Sequence, residues 1–185
     1  MADKIKILGI AGSLRKESYN KALLREAMKL LPKGAEMETF DLEGIPAFNQ
    51  DLENQPPRVI VEFKSKIKAA DAILIATPEY NYSIPGVLKN AIDWASRPYG
   101  QSAWAGKPVA IMGASIGMLG TARAQYHLRQ CFVFLDMQPI NAPEIMVNFA
   151  KDKFDKDGKL LDQAAKDLIA KLLQNLVNWT LKLRS

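Results

Sequence analysis

The segment Asp71-Ala72-Ile73-Leu74-Ile75-Ala76-Thr77-Pro78-Glu79-Tyr80-Asn81-Tyr82-Ser83-Ile84-Pro85-Gly86 changes character twice along its length. From Ala72 to Ala76 no polar residue interrupts it. A strand with one wet face would alternate polar and apolar, so this one is expected to be buried on both faces. Two prolines then bracket a polar and aromatic turn. After Pro85 the apolar positions Leu88, Ile92 and Ala95 recur at helical spacing. A doubly buried strand followed by a loop and a helix is the repeating unit of a parallel sheet covered by helices.

The same unit is found on either side. Upstream, Ile5 to Ala11 is an apolar run ended by Gly12, and Leu23, Ala27, Leu30 and Leu31 share a helical face. Met37 to Leu42 reads as a short second strand and Arg58 to Ala70 as a second helix. Downstream, Lys107 to Gly113 gives a fourth strand and Thr121 to Leu135 a helix. A fifth strand is expected near Ile140 to Val147, then a final helix carrying Leu161, Ala165, Leu168, Leu172, Leu176 and Trp179. These elements predict an α/β fold over residues 1–185 as one domain. It is a flavodoxin-like three-layer α/β/α sandwich with a five-stranded parallel sheet in the order 2-1-3-4-5, and its ligand site lies beyond the carboxyl ends of the strands.

Composition narrows the function. The chain of 185 residues is 48% hydrophobic, enough for a core without metal or disulfide staples. It has one cysteine, Cys131, and one histidine, His127, so disulfide frameworks and Cys/His zinc sites are ruled out. No apolar run reaches a membrane span and no secretory signal is evident, so a cytoplasmic protein without membrane insertion is expected. The net charge of +5 is spread along the chain rather than gathered with aromatics, which argues against a nucleic-acid partner and for attraction of small anions.

Three loops fall at the predicted ligand edge. The first, Gly12-Ser13-Leu14-Arg15-Lys16-Glu17-Ser18-Tyr19-Asn20, runs into a helix N-terminus, where free N–H groups, hydroxyls and Arg15 suit a monophosphate. It lacks the spacing of a Walker loop or a dinucleotide fingerprint, and a plain Ser-rich helix cap is the alternative. The second, Thr77 to Gly86, offers rigid backbone and tyrosines to the edge and face of a planar heterocycle such as a flavin; its tyrosines would otherwise merely plug the sheet end. The third, Gly113-Ala114-Ser115-Ile116-Gly117-Met118-Leu119-Gly120-Thr121, allows close backbone approach. It also spells G-x-S-x-G, but no acid stands between Ser115 and the sole histidine, so a serine-hydrolase triad cannot be assembled.

With these loops in place the sequence resembles the NAD(P)H-dependent FMN reductase family, in its bacterial chromate and quinone reductase branch, over nearly the whole chain. The resemblance is carried by Gly12 to Asn20, by Pro78-Glu79-Tyr80-Asn81, by Pro85 to Trp94, by Arg97-Pro98-Tyr99-Gly100-Gln101-Ser102 and by Gln125-Tyr126-His127-Leu128-Arg129-Gln130. It implies tightly bound FMN, with Ser13, Leu14, Arg15, Ser18, Tyr19 and Asn20 at the phosphate, Pro78, Glu79, Tyr80, Asn81 and Tyr82 at the isoalloxazine, and Ser115 and Gly117 as a third contact. It further implies NADH or NADPH as co-substrate and ping-pong transfer to quinones, free flavin, azo compounds or chromate. A homodimer or homotetramer is implied, and no catalytic side chain, because flavin carries the chemistry. Where the family pattern has Gly-Gly in the third loop, this chain has Gly120-Thr121. A flavodoxin-type electron carrier is the competing function; its usual acidity conflicts with the charge of +5.

Other groups receive plainer readings. His127 and Cys131 on one helix face are expected to pack or to meet another subunit, and Arg123, Tyr126 and Arg129 on the same helix to meet another subunit rather than a substrate. Lys89, Asp93 and Arg97 are read as surface ion pairs. The long connection Glu43 to Pro57 is expected to shape the mouth of the site through Phe48 to Asp51, or to be a mobile surface loop.

Overall fold

A computed structural model of the protein describes residues 4–184. Its elements are β1 Ile5–Ala11, α1 Tyr19–Lys29, β2 Ala35–Phe40, a single 3-10 turn Gln50–Leu52, α2 Arg58–Ala69, β3 Ala72–Ala76, α3 Gly86–Ala95, β4 Pro108–Ala114, α4 Ala122–Leu135, β5 Gln138–Pro139, β6 Ile145–Val147, α5 Ala150–Lys153 and α6 Gln163–Arg184. All strands pair in parallel, in the order β2-β1-β3-β4-β5, with β6 also on β4. The flavodoxin-like order is as the sequence predicts.

The apolar character of β3 has the expected cause. Ile73 and Ile75 enter a core with Leu8, Ile10, Phe63, Ile92 and Phe132, under α2, α3 and α4. Ala72, Leu74 and Ala76 enter the opposite core with Leu23, Met112, Ile169, Leu172 and Leu176, under α1 and α6. Every residue of β3 is buried.

The fifth strand differs from expectation. Instead of one strand over 140–147, two short pieces flank β4 in succession: Gln138 and Pro139 align with Pro108 and Val109, and Ile145 to Val147 with Met112 to Ala114. Pro139 and Pro143 have no N–H to donate, so the ladder stops and restarts. The sheet therefore has six strands rather than five.

The 43–57 connection is fixed to α3. Asn90 donates to Pro46 O (2.8 Å) and accepts from Phe48 N (2.7 Å), Trp94 Nε1 donates to Pro46 O (2.8 Å), and the Phe48 ring stands edge-on to Trp94. Among the described residues no helix is long and apolar enough to cross a membrane.

Candidate functional site

Because β1, β3 and β4 are neighbours, the loops that follow them emerge side by side at one sheet edge. The ladder continues briefly into them: Gly12 N donates to Ala76 O (2.9 Å), Thr77 N to Met112 O (3.0 Å) and Ser115 N to Val147 O (3.0 Å). The order reverses between β1 and β3, the place where folds of this type open a crevice.

In the first loop Ser18 is the N-cap of α1, its Oγ accepting from Asn20 N (3.2 Å) and Lys21 N (3.4 Å). Its hydroxyl proton is still available to donate. Ser13 is buried and its Oγ accepts from Arg15 N (3.3 Å), which curls the loop. Leu14, Arg15, Lys16 and Glu17 are exposed on the outer side of that curl. Tyr19 packs on Phe154, with the Arg15 guanidinium 5.4 Å from its ring centre. Asn20 turns inward: its Nδ2 donates to Ala114 O (3.0 Å) and its Oδ1 accepts from Ala114 N (2.9 Å), fastening α1 to the end of β4.

Two cations that sequence spacing does not reveal join this loop. The turn Asp155 to Gly158 folds over the first turns of α1, and Arg25 and Lys156 line a cleft of about 340 Å³ together with Arg15, Lys16, Ser18 and Tyr19, with the carboxylates Glu17, Asp155 and Asp157 interspersed among the cations.

In the second loop the backbone closes a two-residue turn. Tyr80 N donates to Ser83 O (3.1 Å) and Ser83 N to Tyr80 O (2.9 Å), with Asn81 at φ 49° and Tyr82 at φ 65°. A tyrosine in the left-handed region costs on the order of 1–3 kcal/mol and persists only where its surroundings hold it. Pro78 is buried, Tyr80 and Tyr82 are exposed, and the Glu79 side chain turns away into contact with α4.

The third loop is pinned from several sides. Ala150 N donates to Ser115 O (3.0 Å), Ser115 Oγ accepts from Gly117 N (3.1 Å), and Asn148 Nδ2 donates to Met118 O (3.1 Å). Gly120 has φ +59° with the Met146 backbone 3.0 Å from where a Cβ would stand, so a side chain there is strained and crowded. Thr121 has φ −126°, which any residue adopts, and is fully buried with its Oγ1 accepting from Gln125 Nε2 (2.9 Å). The second glycine of the family pattern is therefore not needed for backbone conformation here.

The three loops thus bring the N-terminus of α1, with the Ser13 and Ser18 hydroxyls, to the same sheet edge as the exposed apolar residues Leu14, Tyr80, Tyr82, Ile116, Met118 and Leu119. Apolar surface gathered in this way on a folded chain marks a place where something binds. The donors and the apolar residues fit a phosphate attached to a flat aromatic system. No group of three or more His, Cys, Asp or Glu able to hold a metal occurs among the described residues. Burial pushes the Cys131 thiol up, away from the reactive thiolate, and His127 Nδ1 lies 3.0 Å from Ser83 Oγ.

The fold is that of a flavodoxin-type α/β protein, with the three loops side by side at the carboxyl edge of its sheet. The chain belongs to the NADPH-dependent FMN reductase family, whose sequence profile matches residues 5–152. It is 56% identical to an NAD(P)H-dependent FMN reductase of Pseudomonas aeruginosa across 100% of both chains. It is 42% identical to a 2-hydroxy-1,4-benzoquinone reductase of a Burkholderia species, over 95% of this chain and 96% of the relative. Among solved structures it is similar to a flavoenzyme NAD(P)H:(acceptor) oxidoreductase from Paracoccus denitrificans, with a TM-score of 0.87, 35% identity, and 96% of this chain and 97% of that one covered.

Proposed function

We propose that this chain is an FMN-dependent oxidoreductase that uses NADH or NADPH to reduce quinones. The juxtaposition of the α1 N-terminus and the exposed apolar residues at one sheet edge carries this reading. FMN, when bound, would supply the two-electron redox chemistry between NAD(P)H and the acceptor, which would use the site in turn, in ping-pong order. The protein's part is to hold and to shelter: Ser13, Arg15, Ser18 and the N-terminus of α1 at the phosphate, Pro78 to Tyr82 along the ring edge, and Ser115 and Gly117 from the third side. Leu14 and Tyr19 flank the phosphate contacts, and Glu79 and Asn20 serve by fixing the loops rather than through a free side-chain atom. Tyr80, Tyr82, Ile116, Met118 and Leu119 keep the open face apolar, which suits a flat quinone. The same open face would also admit azo compounds, free flavin and chromate as further acceptors. No side chain is assigned as acid, base or nucleophile.

The test is an absorption spectrum of the purified protein with FMN, followed by NADH or NADPH and then benzoquinone. Bleaching of the flavin bands and their return on adding quinone is the expected result. Flavin that binds but is never bleached would leave the electron-carrier reading instead.

Arg15→Ala is expected to weaken FMN binding about tenfold or more, since a charge-assisted hydrogen bond is worth ~1.5–3 kcal/mol. An unchanged dissociation constant in titration would place the phosphate elsewhere.

Arg123, Tyr126 and Arg129 have partners within the chain: Glu79, Glu144 and the Ile140–Asn141 segment, respectively. The end of α4 offers a further face for a second copy, where Val133 is 83% and Phe134 75% exposed. A homodimer or homotetramer that covers them is expected in sedimentation, and a tight monomer would refute it.

A further inference from the structure

The Glu79 side chain is 5% exposed although it leaves the end of β3 at the mouth of the crevice. Its Oε2 accepts from Ala124 N (3.1 Å), and its Oε1 accepts from Arg123 Nε (2.5 Å), with a second guanidinium nitrogen also in contact. Ala124 lies in the first turn of α4, where backbone N–H groups have no intrahelical partner. The residue in the cap position, Thr121, makes no side-chain capping bond. Glu79 therefore caps α4 from another loop, and its charge suits the positive end of that helix.

The carboxylate also orients Arg123. The guanidinium carbon lies 3.6 Å from the ring centre of Tyr82, one of the two left-handed residues of the turn. His127, one turn further along α4, reaches Ser83 at the other side of the same turn. The strained turn is thus held to α4 through Tyr82 and Ser83, and the arginine that presses on Tyr82 is held by a residue of the turn's own loop.

We infer that Glu79 and Arg123 are positioning residues: acting through Tyr82, they latch the left-handed turn 80–83 onto α4 and fix the loop edge that faces the flavin. The latch stands on contacts within the chain; only its consequence for the cofactor rests on the proposed function. Glu79→Gln keeps the size of the side chain but sets an amide NH2 against a donor. Arg123→Lys keeps the charge but loses the flat stack. Tyr82→Ala removes the stacked ring at an exposed position, so it leaves folding secure.

The experiment has two readouts on the full chain. Without flavin, amide exchange at Ser83, whose N–H is bonded to Tyr80 O, is expected to quicken about tenfold in all three variants while β1 and β3 keep their protection. With flavin, the FMN dissociation constant is expected to rise about tenfold in Glu79→Gln, with a changed visible circular dichroism of the bound ring. Ser83 exchange that is unchanged in Glu79→Gln and Tyr82→Ala overturns the latch. Faster exchange with unaltered FMN affinity and spectrum overturns the positioning role. Failure of the unaltered protein to take up FMN removes the proposed function and the positioning role with it, while Ser83 exchange still decides the latch.

Discussion

Replacing Gly113 by alanine is expected to destabilise the protein by on the order of 3 kcal/mol and to lower its thermal midpoint by roughly 6–12 °C. Gly113 lies in β4, where the second and third loops run closest. A Cβ built there would stand 2.5 Å from Thr77 O and 2.9 Å from Thr121 Cβ, and would collide with Thr121 Oγ1. Two of these three obstacles belong to a side chain and one to backbone. The Thr77 carbonyl is tied in place by its neighbour's proline ring and by Thr77 N donating to Met112 O. A rotamer change at Thr121 cannot relieve that contact. Gly113→Ala/Thr121→Ala is therefore expected to recover only part of the loss, and full recovery in calorimetry would show that the Thr77 carbonyl yields after all. Because the displaced backbone leads directly into Pro78 to Tyr82, FMN affinity is expected to fall along with stability.

The order of elements was legible because of one physical fact: β3 is apolar on both faces, which only helices on both sides of a sheet explain. The division of the last strand was not, because Ile140, Ile145, Met146 and Val147 are apolar throughout while Pro139 and Pro143 interrupt the ladder between them. Hydrophobicity shows where chain is buried, whereas missing donors decide where a ladder breaks. The polar 43–57 connection was open to being mobile, yet Asn90 and Trp94 hold it by three hydrogen bonds from a helix far along the chain.

The loops of the site stood out in the sequence because turns and helix starts carry local signatures in Gly, Pro and Ser. The tasks of individual side chains did not. Glu79 reads as one member of a Pro-Glu-Tyr-Asn segment, and nothing local indicates that its carboxylate caps a helix 45 residues later. Arg123, Tyr126 and Arg129 read as residues that meet another subunit, and nothing in their spacing indicates the partner each has within the chain. Arg25 and Lys156 reach the phosphate loop from opposite directions of the sequence. These pairings depend on the sheet order being known first.

Asn20 shows the same dependence with the largest consequence for the site. Its side-chain amide bonds both the N–H and the C=O of Ala114, 94 residues away. β3 has ended at Ala76 by that level and Pro78 cannot donate, so the amide of Asn20 stands where the next peptide of a neighbouring strand would be. Asn20→Ala leaves two buried backbone groups without partners, at ~1–3 kcal/mol each, so a loss on the order of 3 kcal/mol is expected in denaturant unfolding. Asn20→Asp tests the assignment more sharply. Ionised, it still accepts from Ala114 N but opposes Ala114 O with a second oxygen. Protonated, it regains a donor. Its carboxyl is therefore expected to titrate higher in the folded than in the unfolded state, so the variant should gain stability relative to the unaltered protein as pH falls through that folded value and lose it again as pH rises. A flat difference between the two proteins over the acid range would mean that the Ala114 carbonyl has turned away. Since Asn20 lies in the first turn of α1 and Ala114 is the last residue of β4, both variants should also loosen the phosphate cradle relative to the ring contacts, lowering FMN affinity even where the fold survives.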